Sequence, residues 1–229
     1  EAELEDLRRR RLTYPEPTQR LRGLILQELG IEARVLCELL EVPDERWQNA
    51  VEGYLHTRRF DLLVPPDAFD RALRVYEREK HRHGIHGVGL VNTGALLRER
   101  PRPEPGSLAD EVVTDDPYAR AYVDRLLGRV MKAEDEQELK RFAVAITPTC
   151  MTYRHHAARQ IDFRIYELWY IGRRAFTRQR QVKEARLREL REAMERLKTA
   201  SERVQRFLQC CGRKDERWAL ELWQQAARL

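Results

Sequence analysis

Residues 33–55 read ARVLCELLEVPDERWQNAVEGYL, and how this stretch folds decides the architecture of the chain. Val35, Leu36, Cys37, Leu39, Leu40 and Val42 form a nearly unbroken apolar run, too short for a membrane span and closed by Pro43, which reads as a buried strand. Asp44 then stands where an N-cap accepts hydrogen bonds from a first helical turn, and Trp47, Ala50, Val51, Tyr54 and Leu55 recur at helical spacing. The same strand-turn-helix pattern returns 72 positions later in ADEVVTDDPYARAYVDRLLG, where Leu40 falls on Val112, Asp44 on Asp116, Val51 on Val123, Tyr54 on Leu126 and Leu55 on Leu127. Each copy is followed by an apolar strand, FDLLV from Phe60 and RVM from Arg129, then by an acidic turn and another amphipathic helix. The expected fold class is α+β, a globule of two related β-α-β-α units.

Outward from these copies, Thr18 is expected to cap a helix with the apolar face Leu21, Leu24, Ile25 and Leu29, closed by Gly30. Before it, EAELEDLRRRRL carries a thin stripe of Leu4, Leu7 and Leu12, stopped by Pro15 and Pro17; it reads as the continuation of a longer charged helix that needs a partner. A helix from Pro66 or Asp67 through Phe69, Leu73, Val75 and Tyr76 should run to His83-Gly84, and GVGLVNTGAL supplies a short strand between glycines. The proline-rich RERPRPEPG, residues 98–106, joins the halves. In the second half a helix is expected over residues 135–142, a strand in AVAITPTCMTY with Pro148 at a bulge or edge, and a last strand in IDFRIYELWYI from Ile161 to Ile171.

After Gly172 the pattern changes. Leu187, Leu190, Met194, Leu197, Ser201, Val204, Leu208 and Cys211 alternate in steps of three and four, a heptad seam flanked by Arg, Glu, Lys and Gln. A helix over 173–209 would be about 55 Å long, and so narrow a stripe calls for one facing helix, with the N-terminal segment as its antiparallel partner. Cys211-Gly212 should interrupt it before a second piece bearing Trp218, Leu220, Leu222 and Trp223. The expected organisation is an N-terminal coiled-coil arm over 1–14, a globule over 15–172 with halves of about 15–97 and 107–172, and a C-terminal coiled-coil arm over 173–229.

With 229 residues, the chain has room for one domain plus extensions. Charged residues at 35% and a mean hydropathy of -0.70 require something elongated and solvated, which the C-terminal quarter provides. The irregularly spaced cysteines Cys37, Cys150, Cys210 and Cys211 argue against a disulfide framework and for a reducing cytosolic compartment, and no membrane segment or signal peptide is read. The net charge of +5 is concentrated: Arg173, Arg174, Arg178, Arg180, Lys183 and Arg186 are opposed over that span by Glu184 alone. With few acidic neighbours at helical spacing, this segment is a candidate for sequence-independent contact with DNA phosphates, as are Arg154 and Arg159.

Other candidates are weaker. GIHGVGLV spaces its glycines as a phosphate loop would, but Leu90 and Val91 stand where Lys and Ser or Thr are required. His81, His83 and His86, with His155 and His156, could converge on a metal, but two of the first three lie at a helix end beside Lys80 and Arg82, which does not fix a metal-binding geometry. Cys150, His155 and His156 hold a nucleophile and base for a hydrolase or metal-dependent nuclease, without an evident orienting acid. A purely structural coiled-coil spacer is a third reading.

The order of ELLEVPDERWQNAVEGYL, FDLLVPPDAFDRALRVYE, GVGLVNTGAL and AYVDRLLGRVMKAEDEQELKRF resembles the hinge domain of structural-maintenance-of-chromosomes (SMC) proteins over roughly residues 18–172, most specifically in LLGRVMKAEDEQEL. DERWQNAVEGYL, DPYARAYVDRLLGRV and AITPTCMTY are most similar to the MukB-like SMC subunit of Wadjet anti-plasmid defence systems, JetC. The resemblance implies a hinge at the tip of an antiparallel coiled-coil arm, pairing two chains into a homodimer and binding double-stranded DNA without sequence preference. It implies a non-enzymatic fragment of an ATPase, no cofactor or metal, kleisin, accessory and nuclease subunits as partners of the full-length parent, and a bacterial cytoplasmic, nucleoid- or plasmid-associated location. AITPTCMTYRHHAARQ stands where glycine-rich interface pairs of an SMC hinge are expected.

Overall fold

A computed structural model describes residues 12–226, which fall into two compact units dividing between Val182 and Lys183. Helix α1, Glu16–Leu29, starts two residues before the expected Thr18 cap because Pro17 fits its first turn; Thr18 is buried, and the helix ends at Gly30 in the left-handed conformation. Strand β1, Arg34–Val35, is far shorter than the strand expected to reach Val42: Leu36–Leu39 wind into a 3-10 turn, and extended pairing resumes only at Glu41. The run is still the core, since Val35, Leu36, Cys37, Leu40 and Val42 are all buried. Helix α2, Glu45–Leu55, follows with Asp44 capping the Arg46 N–H at 2.9 Å.

Strand β2, Leu62–Leu63, a 3-10 turn at Pro66–Ala68, helix α3, Phe69–Glu79, strand β3, Leu90–Val91, and helix α4, Thr93–Glu99, complete the first half. Their three-stranded sheet has the order β1-β2-β3, antiparallel then parallel. Asp61 beside β2 accepts from the Gly89 N–H at 2.8 Å and from the Tyr122 hydroxyl at 2.7 Å. A Cβ at position 89 would lie 2.5 Å from that carboxylate, so glycine is required there.

The second half repeats the first in order, and from the 3-10 turn through the capped helix it does so in the 72-residue register. Leu108–Glu111 form the matching 3-10 turn, and helix α5, Pro117–Leu127, is capped by Asp116, which accepts from the Tyr118 and Ala119 N–H groups. Val51 and Val123, and Leu55 and Leu127, are buried in one shared core. The copies meet at Glu41 and Val113, equivalent positions whose N–H groups each donate to the other's carbonyl, at 2.9 and 2.8 Å. Strand β4, Met131–Lys132, helix α6, Glu136–Leu139, and strand β5, Val144–Ile146, continue the parallel pattern, with a bridge from Ser107 to Met131 in the place of β1. Helix α6 is shorter than the expected 135–142 helix.

Two expected strands are otherwise. The AVAITPTCMTY run is not one strand crossed by Pro148: β5 turns at Thr147–Cys150 into strand β6, Met151–Arg154, which pairs with strand β7, Ala157–Gln160, in a sheet ordered β4-β5-β6-β7. The expected last strand at 161–171 is instead a short helix α7, Phe163–Tyr166, and irregular chain, because its apolar side chains pack against α2 rather than across a sheet. Helix α8, Arg174–Ala226, then runs on without the break expected at Cys211-Gly212. None of the helices among the described residues is long and apolar enough to cross a membrane.

Candidate functional site

The β6–β7 hairpin is built from a proline turn and a two-residue loop. The Cys150 N–H donates to the Thr147 carbonyl at 2.9 Å, and His155 and His156 both take positive φ, 52° and 60°, as the tight hairpin turn that matches strand twist requires. The Ile161 N–H donates to the Cys150 carbonyl, so the narrow, hydrogen-bonded pairs are Thr152 with Arg159 and Arg154 with Ala157. The backbone groups of Ala158 and Gln160 therefore face away from β6. β7 is the last strand of its sheet and all four of its residues are exposed, which leaves a free edge able to take another strand. A histidine pair is not the asparagine-glycine signal that marks such turns in a sequence, and this is why the strand expectation stops at Tyr153 and β7 is not foreseen.

The same geometry removes the Cys150/His155/His156 reading. Cys150 is fully buried and burial pushes its thiol up to about 12, whereas the two histidines form the exposed hairpin tip. Among the described residues no three His, Cys, Asp or Glu side chains are placed to hold a metal, and His83 instead lies 3.3 Å from Glu79.

The basic segment divides in two. Gly172 takes φ 80° and a Cβ there would lie 2.9 Å from the Glu41 carboxylate, which accepts the Arg173 N–H at 3.1 Å. Arg174 donates to Glu45 at 2.9 Å and to the Val42 and Pro43 carbonyls, and Arg178 lies over the Trp169 ring at 5.4 Å and donates to the Glu167 carbonyl. These two side chains hold the start of α8 to the globule, so their charge is engaged within the fold. Arg173 and Arg180 are exposed, Lys183 is half-buried, and Arg154 and Arg159 are exposed on the hairpin.

A buried polar join, invisible in the sequence, fixes residues 165–171 on α2. The Glu52 carboxylate is fully buried and accepts from Arg59 at 2.8 Å, from the Tyr170 and Ile171 N–H groups at 2.6 and 2.8 Å, and from Gln48 at 3.3 Å. Arg59 reaches on to the Ile165 carbonyl at 2.8 Å and lies 4.9 Å from the Phe60 and Tyr170 ring centres. Burial raises the Glu52 carboxyl, with Arg59 and the two N–H groups opposing.

In the C-terminal unit, Leu187 is half-buried and Leu190, Met194, Leu197, Val204 and Leu208 are exposed, so among the described residues nothing covers the heptad stripe. Leu4 and Leu7, its expected partners, lie outside the described residues.

The sequence matches no family model and no curated protein. The fold does have solved counterparts. The SMC hinge domain of Geobacillus stearothermophilus, solved as an asymmetric dimer, is 19% identical with a TM-score of 0.52, over 86% of this chain and 83% of that one. The Pyrococcus furiosus Smc hinge domain with an extended coiled coil is 17% identical with a TM-score of 0.52, over 98% of this chain and 82% of that one. At such identities the likeness is one of architecture, and the chain has the fold of an SMC hinge domain.

Proposed function

We propose that this chain is the dimerisation hinge of an SMC-type ATPase complex that binds DNA and acts in plasmid restriction or chromosome organisation. The observation that carries the reading is the open outer edge of β7 on a globule of hinge fold: four exposed residues, two of them alanines, offer unpaired backbone groups to a second copy. The uncovered stripe from Leu190 to Leu208 supports an arm that needs a facing helix, for which the Leu4 and Leu7 segment is the candidate. The sequence resemblance to JetC supports the Wadjet branch, with kleisin, accessory and nuclease subunits as partners of the full-length protein in the bacterial cytoplasm.

Sedimentation velocity at micromolar concentration is the test. A dimer is expected, and Ala158→Pro, which removes one outward N–H without touching a β6–β7 ladder bond, is expected to yield a folded monomer. A wild-type monomer overturns the reading; a dimer indifferent to Ala158→Pro removes β7 as its edge.

A further inference from the structure

Where α2 ends, the chain turns sharply past the β6 strand and leaves a cleft of about 390 Å³. Two cations line it, Arg58 and Arg154, with the His56 imidazole, the phenol rings of Tyr54 and Tyr153 and the hydroxyls of Thr57 and Thr152, and no carboxylate lines it. Arg58 and Arg154 form no ion pair among the described residues, unlike the adjacent Arg59, whose charge is neutralised by Glu52. Both guanidinium groups line the cleft beside Tyr54 and oppose the rise that burial imposes on its phenol; Arg58 is also within electrostatic reach of the Asp61 carboxylate, without an ion pair to it. His56 adopts φ 51° and ψ −128°, a conformation ordinarily reserved for glycine, which ends the helix where the residue lines the cleft.

Two unpaired guanidinium groups beside phenol rings suit a ligand with an anionic head and a flat apolar body. Arginine presents a planar donor fork that fits phosphate oxygens, and aromatic rings stack on a base whatever its identity. The volume sits at the low end of small-molecule sites, about 300–1,000 Å³, enough for one nucleotide and too small for two. We propose that this cleft binds a nucleoside phosphate, the phosphate between Arg58 and Arg154 and the base against Tyr54 and Tyr153. A free mononucleotide and the unpaired phosphorylated end of a nucleic-acid strand present this same chemistry. The proposal does not depend on the dimerisation reading.

Isothermal titration calorimetry of the full chain with AMP, with a 5′-phosphorylated single-stranded oligothymidylate and with the same oligomer lacking the phosphate tests it. Wild-type protein is expected to bind AMP or the phosphorylated oligomer, and Arg58→Gln with Arg154→Gln to weaken that binding at least about tenfold. Both side chains are exposed, so an unchanged far-UV spectrum is expected to accompany the loss. Binding of AMP identifies a free nucleotide as the ligand, and binding of the phosphorylated oligomer alone identifies a strand end. No binding of either, equal binding of the oligomer without its phosphate, or binding indifferent to the double variant overturns the proposal. Sedimentation of the same samples reports the dimer separately, so a failure of either reading is seen apart from the other.

Discussion

Glu52 shows how much of the globule hangs on a single side chain. Its carboxylate meets a guanidinium, an amide side chain and two backbone N–H groups, with no access to water. Removing one member of a buried pair strands the other's charge and typically costs about 3–5 kcal/mol. Glu52→Ala is therefore expected to lose stability on that scale in urea, and Glu52→Gln, which keeps an acceptor for the two N–H groups, to lose less; a loss of under about 1 kcal/mol for the alanine variant refutes this account. Asp61 gives a pH signature. Burial holds its carboxyl above the ordinary 3.8, against the pull of the Tyr122 hydroxyl and the Gly89 N–H. The native state thus holds the proton more tightly, and the contribution is complete below 3.8 and lost as pH rises through the raised value. The unfolding free energy of the wild type relative to Asp61→Asn is expected to fall across that interval, and a relative stability that climbs with pH contradicts the assignment.

At the scale of elements, the caps and helices were legible because their causes are local. Asp44 and Asp116 each precede a run with helical apolar spacing, and both helices occupy the expected positions. Leu55 and Leu127 are equivalent and fully buried, so Leu55→Ala and Leu127→Ala are each expected to cost about 2–5 kcal/mol in chemical denaturation; a loss confined to one of them breaks the equivalence. Strand extents were less legible. Leu36–Leu39 lies in an apolar run with the composition of a buried strand yet winds into a 3-10 turn, as Leu108–Glu111 does at the equivalent place; pairing with the β2 side ends at the Leu36 N–H, which donates to the Asp61 carbonyl at 3.0 Å, and resumes only at Glu41. Residues 161–171 look semi-apolar on both faces because one face meets α2 and the other carries Tyr170 to Phe60, at 4.7 Å. The hairpin escaped detection because its turn residues are unusual, and the roles of Arg174 and Arg178 because their partners are set by the fold.

For the whole molecule, the division of the basic segment redirects the DNA experiment. Changing Arg174 or Arg178 disturbs the globule, so the informative double variant is Arg173→Glu with Arg180→Glu, both exposed. If these side chains neutralise phosphates, affinity for duplex DNA is expected to drop at low salt and the log–log salt slope to shrink by about 0.9 for each phosphate released, with the dimer unchanged. An unaltered slope and affinity exclude Arg173 and Arg180 as the DNA contact.

The reciprocal hydrogen bonds between Glu41 and Val113 are what a two-fold axis produces when it passes between like residues of two subunits. Here both belong to one chain, so the two halves meet as the subunits of a homodimer would. In a true homodimer every substitution is made twice and must suit both places; within one chain each half varies alone. The Arg34–Asp116 ion pair, at 2.8 Å, bears the mark of that freedom, for its mate across the axis would join residue 106 to Asp44, and residue 106 is glycine. So does the β6–β7 hairpin, which extends the sheet of the second half while the first ends at β3. The exposed β7 edge thus belongs to one half alone, an unrepeated feature on a body built of two like halves.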